Sequence, residues 1–237
     1  MSSIAPKPSA RPSRYASSIR SFVPALARIA PFGLFLAFIA VQPLLDGRLD
    51  VRTLAVARGI AVAALLAILW RFYDELRDGP SVPAREWAIA AAAGIAVFLA
   101  WITFDTGWAA FESGAGFVPL HADGSLDLVL VSLRLFGLVL VVPVMEELFW
   151  RSFVMRWIGK RDFLAAEPRK AGLAAFLLSS ALFASEHALW FAGLLAGLAY
   201  GWVYMRSGNL RVPIVSHAIT NGLLGAWILA TQNWRFW

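Results

Sequence analysis

The chain alternates long apolar runs with short polar stretches. The runs occupy 29–45, 51–70, 87–104, a fourth that starts near Leu128 and ends in a polar cluster at 146–151, then 172–190, 191–205 and 212–230. A helix rises about 1.5 Å per residue, so about 20 mainly apolar residues cross a bilayer. The pattern predicts seven spans, with a very short boundary between the fifth and sixth. Arg58 interrupts the second run and Arg134 lies inside the fourth. No convincing internal repeat is visible. The expected fold class is all-α, a polytopic transmembrane helix bundle of about seven or eight helices. Its expected organisation is a disordered basic tail over 1–22, N-terminal transmembrane helices over 23–127, core helices carrying the polar motifs over 128–230, and a C-terminal tail over 231–237.

Composition agrees with the hydropathy pattern. Of 237 residues, 59% are hydrophobic and 15% charged, where a soluble domain carries about 25% charged residues. The chain has no cysteine, which excludes disulfides and thiolate metal sites. The many Trp, Tyr and Phe residues suit aromatic belts at the membrane interfaces. The apolar stretch after the basic tail lacks a small-residue cleavage site and is expected to be retained as a span.

The net charge of +6 is explained by topology rather than by nucleic-acid binding. With the N-terminus in the cytoplasm, the tail and the 71–86, 151–170 and 206–211 loops hold fifteen cations on one side. Arg48, Arg52 and Arg235 stand alone on the other. This is the positive-inside pattern. The acidic stretch 105–127 then lies outside, and its His121 is expected to be a solvated loop residue.

Three polar clusters remain in apolar surroundings. Glu146 and Glu147 precede Arg151, and Glu147 and Arg151 share a helix face four residues apart. Phe183 and His187 are also four apart, with Glu186 beside the histidine. His217 and Asn221 repeat the spacing. Each has a structural reading: a Glu–Arg pair can anchor a helix end, and His and Asn can bond neighbouring helices. Together, two of only three histidines in apolar segments, with a carboxylate pair and an amide, point to function.

Several chemistries fit these residue types. Ser179, Ser180 and Ser185 lie near His187, but GxSxG is absent, and serines in spans commonly bond their own helix. A zinc set of Glu146, His187 and His217 is possible in residue type, although HExxH is absent. Water activation is the third. A carboxylate made more basic by burial can take a proton from water with a histidine sharing the task. A second histidine and an amide can donate to the oxyanion of a tetrahedral intermediate.

The motifs EELFWR (EExxxR), FASEH (FxxxH) and HAITN (HxxxN), in that order and each in an apolar span, resemble the CAAX-protease and bacteriocin-processing family, also called Abi, of intramembrane glutamate endopeptidases. The likeness covers about 128–230. It implies that this segment forms the catalytic core, that Glu146 activates water with His187, and that Glu147 pairs with Arg151 to hold the helix end. It further implies that His217 and Asn221 form the oxyanion site, that Phe183 packs beside it, and that no cofactor or metal is needed. Glu186 has no part in that scheme.

The implied partners are the lipid bilayer and a membrane-associated protein or peptide as substrate, with no nucleic acid; oligomeric state is not legible. The Ala- and Arg-rich composition, with no organelle signal, points to a bacterial inner membrane and away from prenylated substrates. A non-catalytic scaffold or immunity protein and a zinc-dependent peptidase are the competing readings. Depth poses one problem. With 151–170 as a cytoplasmic loop, Glu146 lies at the end of the fourth span and His187 roughly 24 Å into the fifth. A break at Pro143, leaving 145–158 as a separate piece, is one expected remedy.

Overall fold

The apolar runs become helices because each can close its backbone hydrogen bonds internally, as a hydrocarbon environment demands. The computed structural model describes residues 14–237, apart from 46, 112–115 and 117, with 14–21 as helical backbone alone. The helices are α1 (Arg14–Val41), α2 (Val51–Ile68), α3 (Asp74–Arg77), α4 (Ala84–Thr103), α5 (Leu128–Phe136), α6 (Val142–Glu147), α7 (Arg156–Gly159), α8 (Leu173–Ser185), α9 (Trp190–Ser207) and α10 (Arg211–Thr231). Asp50 and Asp127 cap α2 and α5, accepting from the amides of Arg52 and Leu130, each at 2.9 Å. Residues 1–13 of the expected tail lie outside the described residues, and α1 already runs from Arg14.

The all-α fold class holds, but the number of spans differs. Among the described residues, five helical stretches are long and apolar enough to cross a membrane: 22–45, α2, α4, Leu128–Gly159 and α10. The expected fifth span is α8, of only 13 residues. At 1.5 Å each that is about 20 Å, short of a hydrocarbon core about 30 Å thick. The expected sixth is α9, long enough but less apolar than those five. It is tucked into the bundle by Gly193, Gly197 and Gly201, spaced four apart. A Cβ on Gly197 would sit 2.8 Å from the Ser180 carbonyl oxygen of α8. Small residues at this spacing let two helix backbones touch. Gly94 does the same for α4 against α10, where a Cβ would collide with the Ser216 carbonyl.

The fourth stretch does not break at Pro143. It continues for 32 residues to Gly159 through two π-helical segments, Gly137–Val141 and Leu148–Met155. In the first, the Val142 amide reaches back five residues to the Gly137 carbonyl. That wider turn absorbs the proline, and no separate 145–158 piece exists. Arg151 and Arg156, counted above with a loop, are buried in this helix. Arg156 donates to the carbonyls of Leu164 and Ala166 at 3.0 and 3.1 Å, and so ties down the turn that follows.

This continuation levels the site. Glu146 lies thirteen residues before Gly159, and His187 lies fourteen after Leu173, the first residue of the returning α8. Both are therefore roughly 20 Å from the same turn, and the depth mismatch disappears.

A second polar knot fastens the opposite flank. Arg28 of α1, 1% exposed, pairs with Glu75 of α3 at 2.5 Å and donates to Ser152 at 2.8 Å. Ser152 in turn donates to Glu75, and Tyr73 Oη donates to the Ala27 carbonyl at 2.8 Å. Burial pushes the Glu75 carboxyl up, but the Arg28 charge and the hydrogen bonds from Arg28 and Ser152 outweigh it and hold it below the usual carboxylate range.

Candidate active site

Glu146 is the last residue but one of α6, on the inward face of the long helix, and is 6% exposed. Among the described residues no hydrogen bond reaches its Oε2. Glu147, one residue on, points elsewhere and is completely buried. Its Oε1 lies 3.2 Å from Arg151 Nη1 and 3.2 Å from His217 Nδ1. The Glu147–Arg151 pair thus sits in mid-helix, not at a helix end, and reaches across to α10. Arg151 also donates to the Gly197 carbonyl at 3.2 Å, and its guanidinium faces the rings of Phe183 at 4.5 Å and Tyr200 at 5.5 Å.

His187 lies just past the end of α8, in the turn leading to α9. Its Nδ1 is 2.8 Å from the Phe183 carbonyl. A carbonyl only accepts, so the proton sits on Nδ1 and Nε2 is left with its lone pair. Trp101 meets the ring edge-on at 5.4 Å, and Phe183 lies 4.6 Å from it. His217, in α10, stacks on Tyr200 with centroids 4.7 Å apart and planes 19° apart. Its Nε2 is 4.0 Å from Glu146 Oε2. Tyr200 is held by Thr220 at 2.7 Å, and Thr220 donates onward to the Gly94 carbonyl at 2.8 Å. Asn221 Nδ2 donates to the Leu138 carbonyl at 2.8 Å.

One cavity of about 320 Å³ collects these groups: Glu146, His187, His217 and Asn221 all line it. Phe183 lines it as well, beside both histidines. Glu147 and Arg151 stand behind His217, outside the lining. His121 lies far off in the acidic loop, 55% exposed, with Asp127 at 4.0 Å. Ser179, Ser180 and Ser185 donate to the carbonyls of Phe176, Phe176 and Leu182, which spends them on their own helix.

Glu186 also lines the cavity. Its Oε1 accepts from the Trp150 indole at 2.7 Å. Glu146, Glu186 and His187 each offer an atom within 4.8 Å of the others, close enough to converge on a cation. The zinc set inferred from sequence had His217 in place of Glu186. In the fold His217 Nδ1 is turned to Glu147 instead. Nothing in the spacing singled out Glu186, because it stands next to His187 in the chain rather than one helical turn away; the indole of Trp150 is what orients it.

The arrangement can deprotonate a water between Glu146 and His187, with His217 and Asn221 across the same hollow. Residues 128–223 match the family model described as Type II CAAX prenyl endopeptidase Rce1-like. No curated protein and no solved structure matches the chain. All three polar motifs fall within the matched segment, and the matched family model agrees with the CAAX-protease family that the motifs resemble.

Proposed function

We propose that the protein is an intramembrane endopeptidase that hydrolyses a peptide bond of a membrane-associated protein or peptide without a metal. Glu146 takes a proton from a water, and His187 Nε2 accepts a hydrogen bond from the same water. The hydroxide oxygen adds to the substrate carbonyl carbon. The oxyanion so formed faces His217 and Asn221. Glu147 fixes the His217 proton on Nδ1, so Nε2 donates to the oxyanion when His217 is the imidazolium, a charge that Glu147 offsets. The C–N bond then breaks, and the proton held by Glu146 passes to the leaving amine.

The single observation that carries this reading is that Glu146, His187, His217 and Asn221, from three helical segments, line one cavity. The setting is a bacterial inner membrane with the N-terminus in the cytoplasm, supported by the loop charges. The test is incubation of the purified protein with a panel of membrane and lipidated peptides, followed by mass spectrometry. Cleavage that disappears in Glu146→Gln supports it. Absence of cleavage, or cleavage unchanged in Glu146→Gln, leaves the scaffold or immunity-protein reading in its place.

A further inference from the structure

Glu186 has no part in the water-activating scheme, yet its side chain lines the same cavity as Glu146, His187, His217 and Asn221. It follows α8 directly. Trp150, on the long helix, donates its indole N–H to Glu186 Oε1 at 2.7 Å. That indole is buried, with the rings of Phe32, Phe149 and Phe183 edge-on at 5.7, 4.8 and 6.2 Å. A clamped donor holds the carboxylate in one place.

The two carboxylates of the cavity differ in exposure. Glu146 is buried, whereas Glu186 is exposed. Leu36 and Ile39 of α1 also line the cavity and are exposed, at 43% each. Residues that face both the cavity and the outside stand at its mouth. Glu186 is thus the carboxylate at the mouth and Glu146 the one inside, with an oxygen of each within 4.8 Å of the other. Among the described residues Trp150 is the one hydrogen-bond donor to Glu186, and no Lys or Arg forms a salt bridge with it. The Arg151 charge acts on it, but that guanidinium is bonded to Glu147 and to the Gly197 carbonyl. Glu146 Oε2, buried beside it, also lacks a donor. A carboxylate in apolar surroundings calls for a partner, and what is missing here is positive charge that carries N–H groups.

We propose that Glu186 is a specificity-determining residue that pairs with a Lys or Arg side chain of the substrate close to the bond that is cut. The assignment rests on the peptidase reading. A carboxylate takes an ammonium as a point charge, and a guanidinium through two parallel hydrogen bonds. An extended chain covers about 3.3–3.6 Å per residue, so 4.8 Å from Glu146 corresponds to between one and two residues. The basic residue therefore stands within about two positions of the cut bond. An endopeptidase cuts inside the chain, which leaves the substrate's α-amine out of reach. The pairing acts on binding and touches neither the water nor the oxyanion.

The experiment uses full-length protein in lipid nanodiscs and a peptide that the wild type cleaves, acetylated at its N-terminus. Lys, Arg or Met is placed in turn at each of the two positions on either side of the cut. The wild type is expected to prefer Lys or Arg over Met at one of these positions by roughly 10- to 100-fold in KM, as for a charge-assisted pair. Glu186→Gln keeps an acceptor for Trp150 and is expected to level KM across the series. Glu186→Asp is expected to keep part of the preference, and Trp150→Phe, which releases the carboxylate, to weaken it. A merely structural Glu186 would leave the ratio unmoved in all three. Binding of the same peptides to Glu146→Gln protein repeats the comparison without turnover. Equal KM for Lys, Arg and Met in the wild type overturns the pairing even where a variant fails to fold, and leaves the peptidase reading standing. A preference that survives Glu186→Gln overturns it too. Cleavage of no peptide at all sinks the peptidase reading, and the pairing with it.

Discussion

Asn221 supplies the hydrogen bond that Pro143 cannot give to Leu138. In the π turn at Gly137–Val141 the Val142 amide goes to Gly137. The next donor in that register is residue 143, a proline with no N–H. The Leu138 carbonyl would be left bare inside the bundle, and the Asn221 amide reaches it at 2.8 Å. One of the two N–H groups of Asn221 is therefore structural, and the other remains for the cavity.

This double duty can be separated. Asn221→Ala is expected to cost about 1–3 kcal/mol for the bared carbonyl. It is also expected to lower kcat by about 10²–10³-fold for the lost oxyanion donor. Adding Pro143→Ala gives residue 143 an N–H that can take over Leu138. Thermal melts in detergent are expected to recover in the double variant while kcat does not. Recovery of both together would make Asn221 a clamp only.

Glu147 stands between Arg151 and His217, 3.2 Å from each. As an ionised carboxylate it only accepts, so it holds the proton on His217 Nδ1. Glu147→Gln keeps the shape but removes the charge that favours imidazolium. The expected result is a fall in kcat of about 10²-fold or more with KM little changed. Arg151→Met acts instead on stability. It leaves Glu147 buried beside His217 alone, a change of the kind that costs about 3–5 kcal/mol. Wild-type kcat in Glu147→Gln would remove His217 from the chemistry.

Much of this site was legible beforehand, because four-residue spacings survive folding: Glu147–Arg151 and His217–Asn221 each share a helix face, and His187, just past α8, still reaches the Phe183 carbonyl. Depth was not legible. Arg151 and Arg156 read as loop cations because no residue pattern shows that the helix runs on to Gly159, and Arg156 is answered only in space, by the carbonyls of Leu164 and Ala166. α8 read as a full span because apolarity alone does not mark its end at Ser185. Pro143 read as a break because the wider turn that accommodates it has no pattern in the residues themselves. Glu186 and Trp150 meet only through the crossing of two helices.

Acid should loosen the α1 flank through Glu75. Its folded carboxyl lies below the usual range, whereas an unfolded Glu titrates at about 4.3. A depressed folded value means stability fully present above the unfolded pKa and lost as pH falls through the folded one. Glu75→Gln leaves Arg28, 1% exposed, without its charge partner. It is expected to lower the melting temperature at pH 7 and to flatten its fall between pH 5 and 3. A wild-type melting curve insensitive to pH over that interval would show that the pair contributes nothing.

Chelation separates the metal-free reaction from a zinc peptidase. The atoms within 4.8 Å of one another come from two carboxylates and one imidazole, Glu146, Glu186 and His187. The second imidazole of the usual two-His, one-carboxylate set belongs to His217, whose Nδ1 is engaged with Glu147. Glu186 is in addition held by the Trp150 indole. Cleavage is therefore expected to survive exhaustive chelation, with no stoichiometric zinc by elemental analysis. Glu186→Gln can still accept from Trp150 and is expected to change kcat by no more than about tenfold. Glu146→Gln, which removes the base, is expected to lose at least about 10²–10⁴-fold. Activity that vanishes on chelation and returns with zinc, together with a Glu186→Gln loss as deep as that of Glu146→Gln, would make the three residues ligands and the water metal-bound.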